Sequence, residues 1–129
     1  MADMATVLIV EDEDQVRVLA ESYLREQGHQ TVSAANAEEA LAVFEVVTRI
    51  DVLFIDINLH GETHAGLELA KRARERQADL AVLYTTGQAV TDGMRAMMVA
   101  NSAVLEKPYT VDQLHTALSV HFAIKPRKA

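Results

Sequence analysis

The 129 residues suffice for one domain with one core; 50% are apolar and 24% charged, the balance of an ordinary soluble globular chain. The net charge of −7 argues against direct binding to nucleic acid or an anionic membrane. No apolar run approaches the ~18 residues of a membrane span, MADMATVLIVEDED lacks a basic leader, and a chain with no cysteine has neither disulfide nor thiol chemistry, so a cytoplasmic setting is expected.

ATVLIV (5–10) reads as a first strand that halts at four acids, Glu11 to Asp14, with Asp14 expected to cap the first helix. From Val16 the spacing turns helical. Val16, Leu19, Ala20, Tyr23 and Leu24 share one face, and Gly28 ends the helix. HQTVSA (29–34) is a second strand. Asn36 with Glu39 three residues on forms a capping box for a helix facing inward through Ala40, Leu41, Phe44 and Val47. DVLFI (51–55) is a third strand, followed by the loop LHGETHAG (59–66) and a helix from Gly66 to Arg76 with Leu69 and Ala73 inward. LAVLYT (80–85) is a fourth strand. TTGQAVTDG leads into a short helix carrying Met94, Met97 and Met98, and SAVLE (102–106) is a fifth strand. Thr110 and Gln113 make a second capping box for a last helix burying Val111, Leu114, Leu118 and Phe122.

Five strand–helix pairs imply α/β architecture, a parallel sheet covered on both faces, whose strands should be almost wholly apolar. One domain is expected over residues 1–124, with a short basic tail at 125–129. Ligands of such sheets bind beyond the carboxyl ends of the strands. The residues there are Glu11 to Asp14 after the first strand, Asp56 after the third, Thr85 to Gly87 after the fourth, and Glu106 to Pro108 after the fifth. Each alone reads as a turn, cap or loop residue; on four strand ends together they read as a site. Two carboxylates ~4 Å apart repel by roughly 4 kcal/mol at an effective dielectric near 20, and one lysine does not neutralise three acids. A hard divalent cation does, and an all-oxygen site suits magnesium. Magnesium beside a free carboxylate is an arrangement for phosphoryl transfer to that carboxylate.

VLIVEDE (7–13), FIDINL (54–59), YTTG (84–87) and LEKPYT (105–110) together resemble the receiver domain of two-component response regulators, the family of the chemotaxis response regulator, over nearly the whole chain. The resemblance implies a flavodoxin-like, doubly wound sheet of order 2-1-3-4-5 with five helices. It implies that Asp56 accepts a phosphoryl group from a phosphohistidine of a sensor histidine kinase or histidine phosphotransfer protein. It further implies Mg2+ at Glu11, Asp12, Asp56 and the Asn58 carbonyl, Thr86 and Lys107 on the phosphoryl oxygens, and a cis Lys107–Pro108 peptide. Asn58 and Gln88 match the pair that tunes autodephosphorylation. The output surface would be the helix 4–strand 5–helix 5 face, near 90–100, 103–105 and 110–118, acting by protein contact rather than as an enzyme on other substrates. Val104 stands where the family usually has an aromatic, so Tyr84 is expected to pack rather than switch, and His60–Gly61 replaces the usual Pro-Gly in a loop that looks longer than common.

Other readings are weaker. TTGQAVT resembles a flavodoxin phosphate loop but follows the fourth strand, while the first ends in acids that repel phosphate. No nucleotide-binding glycine motif occurs. His60, Glu62 and His64 could ligate zinc, yet loop histidines occur by chance. His121 is expected to be partly packed. A receiver-like interaction module independent of phosphorylation is the alternative function; the intact acids, threonine and lysine argue against it.

Overall fold

The computed structural model describes residues 4–62 and 64–124, so the basic tail at 125–129 lies outside the described residues. The strands are β1 (Thr6–Val10), β2 (Gln30–Ala34), β3 (Val52–Asp56), β4 (Ala81–Thr86) and β5 (Ser102–Glu106). The helices are α1 (Asp14–Glu26), α2 (Ala37–Val46), α3 (Ala65–Arg76), α4 (Asp92–Met97) and α5 (Val111–Phe122). All strand pairs are parallel, in the order β2-β1-β3-β4-β5, which is the flavodoxin-like arrangement the family resemblance implied. Among the described residues no helix is long and apolar enough to cross a membrane.

Strand burial follows from that order. β3 and β4, flanked on both sides, are buried at every position, whereas edge strands β2 and β5 are mostly half-buried. Alternation divides the core in two. Val7, Ile9, Val52, Phe54 and Leu83 pack with α1 and α5, while Leu8, Val10, Leu53, Ile55, Val82 and Tyr84 pack with α2, α3 and α4. Met94 is buried in the second layer, and Met97 and Met98 pack against it.

Capping fixes the helix starts. Asn36 accepts the Glu39 N–H at 2.8 Å, and the Glu39 carboxylate reaches back to the Ala35 N–H, also at 2.8 Å. Thr110 and Gln113 form the expected reciprocal box. At α1 the expectation fails: extended Glu13, not Asp14, is the N-cap, with no side-chain cap bond, and Asp14 sits in the first turn with its carboxylate on Arg17 at 2.6 Å. Leu19 is also exposed. The inward stripe runs through Ala20 and Leu24 with Val16 and Tyr23 half-buried, and position 19 falls on the solvent side of it. On α5 it is His115, not His121, that is partly packed; His121 is exposed.

Gly66 explains how α3 starts. A Cβ there would stand 2.1 Å from the Asp56 carbonyl oxygen, and the Gly66 N–H donates to the Ile57 oxygen at 3.0 Å. The helix thus begins in contact with the end of β3, a distance only glycine permits.

Candidate functional site

Backbone bonds carry the sheet just past its strand ends. The Glu11 N–H donates to Ala34, Ile57 to Thr85, and Lys107 to Thr86, at 3.1, 2.9 and 2.9 Å. These bonds fix the residues that follow β1, β3 and β5 along one edge, at the point where strand order reverses between β1 and β3. The Lys107–Pro108 peptide is cis.

Lys107 Nζ donates to Glu11 Oε1 at 2.7 Å and to Asp56 Oδ2 at 2.9 Å. The two acceptors are 96 and 51 residues away in sequence, and both carboxylates are buried. The other Asp56 oxygen accepts the Asn58 N–H at 3.0 Å, and Glu11 Oε2 accepts the Glu13 N–H at 3.2 Å. Asp12 is turned to the β3–α3 loop, where its Oδ2 accepts the His60 N–H at 2.9 Å. Leu59 and Glu62 pair across a tight turn in which His60 and Gly61 both have positive φ.

Burial pushes the Glu11 carboxyl above the usual range, against the opposing hydrogen bond from Lys107. Burial also disfavours the Lys107 ammonium, but its bonds to Glu11 and Asp56 outweigh this and raise it. For Asp12 burial is outweighed by hydrogen bonds, the His60 N–H foremost, which hold the carboxyl low.

Among the described residues one group of three ligating side chains comes together, Glu11, Asp12 and Asp56, with oxygens within 4.8 Å of one another. His60, Glu62 and His64 form no such group. Three carboxylates and one ammonium leave an excess of negative charge, and an all-oxygen donor set fits a hard divalent cation. Thr86 is buried at the end of β4, where its hydroxyl oxygen accepts the Gln88 N–H at 3.1 Å, so its own proton remains free to donate. The Asn58 amide oxygen is buried and has no hydrogen-bond partner.

Three neighbours were named in the sequence only as parts of a strand end, a motif or a loop, with no role at the site. Thr85 lies buried on the opposite strand face from Thr86 with no partner for its hydroxyl. Tyr109 packs edge-on against Phe54 at 5.7 Å, its phenol pushed up to about 12, chiefly by burial. His60, read as a zinc candidate and as part of the loop that departs from the family pattern, holds Asp12 through its backbone. Position directly after a strand marked Thr85, and position directly after Lys107–Pro108 marked Tyr109. Tyr84 packs as expected: it is wholly buried, lies opposite Val104 in the sheet, and its hydroxyl oxygen accepts the Val99 N–H at 3.1 Å.

The family description "Response regulator receiver domain" matches residues 7–119. The chain is 29% identical over 109 residues to the transcriptional regulatory protein YxdJ of Bacillus subtilis, covering 84% of this chain but 46% of that protein. It is 26% identical over 122 residues to the sporulation initiation phosphotransferase F of the same organism, covering 92% of this chain and 94% of the relative. Its fold is similar to the response regulator protein TrrA of Thermotoga maritima, solved in complex with Mg(2+)-BeF, with TM-score 0.76 and 26% identity over 92% of this chain and 100% of the other.

Proposed function

The chain belongs to the response regulator receiver domains of two-component phosphorelays, and from that membership we propose that Asp56 is its phosphoacceptor, charged by a phosphohistidine on a histidine kinase or phosphotransfer protein. One observation carries the reading: a single lysine, Lys107, joins the buried carboxylates of Glu11 and Asp56 at the strand ends, beside Asp12.

An Asp56 oxygen attacks phosphorus, the P–N bond to the donor imidazole breaks, and its electron pair leaves on that nitrogen, giving an acyl phosphate. Asp56 ends a strand buried along its length, so the nucleophile is held without side-chain freedom to lose. Lys107, already on the carboxylate, pairs with a phosphoryl oxygen, and the Thr86 hydroxyl donates to another. Glu11, Asp12, Asp56 and the Asn58 carbonyl would hold Mg2+, which would offset the charge of the transferred group. Asn58, whose buried amide oxygen has no partner, and Gln88 would tune attack by water and so the lifetime of the acyl phosphate.

Output would leave through α4, β5 and α5. Thr86 shares its strand face with Tyr84, whose hydroxyl holds Val99 beyond α4. An inward shift of Thr86 thereby reaches the groove of about 900 Å³ lined by Val90, Met98, Val99 and Val104. Phosphorylation biases a two-state element there, and a partner protein reads it. The setting proposed is the cytoplasm.

Intact mass after incubation with acetyl phosphate tests this. A gain of one phosphoryl group in Mg2+, lost in EDTA and in Asp56→Asn, is the expected result. No gain, together with no response to beryllofluoride, would leave a phosphorylation-independent interaction module instead.

A further inference from the structure

His60 stands at the rim of the acidic cluster. Its ring Nε2 lies 3.2 Å from the Ala35 carbonyl oxygen and its Nδ1 lies 3.8 Å from Asp12 Oδ2. A carbonyl oxygen only accepts, so Nε2 carries a proton in this contact. In the neutral ring the lone pair then sits on Nδ1, facing a carboxylate oxygen. Two lone pairs face to face repel, and a cation between them turns the repulsion into shared coordination. A backbone carbonyl taking the far N–H is also the usual arrangement behind a metal-ligating histidine, because it fixes tautomer and ring orientation.

Asp12 belongs to the three-carboxylate cluster while the His60 ring lies outside the group of mutually close oxygens, so a cation shared by His60 and Asp12 sits at the rim of the cluster, and the ring must move toward Asp12 to join the carboxylates on one ion. We propose that His60 supplies a nitrogen ligand there, so that the site takes a borderline first-row ion such as Ni2+ or Co2+ with an advantage over Mg2+ that the carboxylates alone would not give. The proposal rests on the reading of the cluster as a cation site. Magnesium gains little from imidazole, prefers oxygen and keeps its waters, whereas imidazole suits the later first-row ions. Ligand atoms sharing an ion with bonds of about 2.1 Å stand roughly 3 to 3.5 Å apart. The 3.8 Å separation asks only a small movement of a ring that is 60% exposed.

Any carboxylate site binds Ni2+ more tightly than Mg2+, so the informative quantity is the change in the Ni2+/Mg2+ affinity ratio on removing the ring. Isothermal titration calorimetry with each ion on untagged protein measures it, for the wild type, His60→Ala, His60→Gly and Asp12→Asn. The glycine variant tolerates the positive φ of 55° at this position, and unchanged Mg2+ affinity reports an intact fold. The expected result is a loss of roughly tenfold or more in Ni2+ affinity in both His60 variants, with Mg2+ nearly unchanged, and loss of both ions in Asp12→Asn. A ratio unchanged in the His60 variants while Asp12→Asn still loses both ions overturns the role of His60 alone. Affinities for both ions insensitive to Asp12→Asn overturn the cation site itself, and the His60 ligand with it.

Discussion

In an ordinary helix, replacing glycine by alanine gains about 1 kcal/mol; at Gly66 in α3 the sign should reverse. An alanine Cβ would lie 2.1 Å from the Asp56 carbonyl oxygen, 2.7 Å from Ile57 Cα and 2.8 Å from the Ile57 oxygen. All three obstacles are backbone, so no side chain can rotate away. Relief requires α3 to lift off β3, weakening the bond from the Gly66 N–H to Ile57, worth about 1 kcal/mol. Overpacking of this kind costs about 1–3 kcal/mol and occasionally more. With the helix gain set against these, Gly66→Ala should destabilise the domain by about 2 kcal/mol, lowering Tm by roughly 7 °C at this chain length. Urea unfolding measures the first and thermal melting the second. Labelling of Asp56 by acetyl phosphate should slow as well, because the displaced carbonyl is its own. A Gly66→Ala variant as stable as the wild type would refute the close approach of α3 to the strand that carries the acceptor.

Lys107→Ala leaves Glu11 and Asp56 without their shared counterion; discounted for a lysine side chain 20% exposed, the cost is about 1–2 kcal/mol in EDTA, partly recovered in Mg2+. Urea unfolding under both conditions checks it, and an equal loss in both would count against cation and lysine sharing one charge. Tyr84→Phe orphans the Val99 N–H; a loss of about 1–2 kcal/mol and faster hydrogen exchange at Val99 are expected, and unchanged exchange would remove the tyrosine from the link to α4. Burial, with the nearby charge of His115 second, lowers the pKa of His29, and burial also lowers that of His115. Both bind protons more readily in the unfolded chain, so stability is full above the ordinary histidine value of 6.5 and falls as pH drops below it. Since His29 Nδ1 accepts the Ala5 N–H at 3.1 Å, His29→Asn can keep that bond and should flatten the fall in Tm between pH 7 and 5; an unchanged slope would clear His29 of the effect.

The order and type of the elements, the capping box of Thr110 and Gln113, the Asn36 cap of α2 and the apolar character of β3 and β4 were legible in the sequence by itself; the reach of Glu39 to Ala35 rather than Asn36 was not. The legible features are encoded within a few residues of chain, by periodicity and by hydroxyl, amide and carboxyl groups within reach of the next turn. The sequence also marked Glu11, Asp12, Asp56, Thr86 and Lys107 as strand-end residues, since an ionised or polar side chain directly after a buried run stands out. Edges of amphipathic stripes were less legible: Leu19 has the right spacing, and only the packing of α1 against the sheet decided that it faces water.

Tertiary structure alone decided which strand ends meet. Lys107 reaches Glu11 and Asp56 because β1, β3 and β4 are neighbours and the backbone of Lys107 is held to Thr86. The bonds from His60 to Asp12 and from Val99 to Tyr84 join residues that no local pattern relates. A loop residue's role depends on what another loop places beside it, and that is set by strand order and register, properties of the whole sheet rather than of any short stretch of chain.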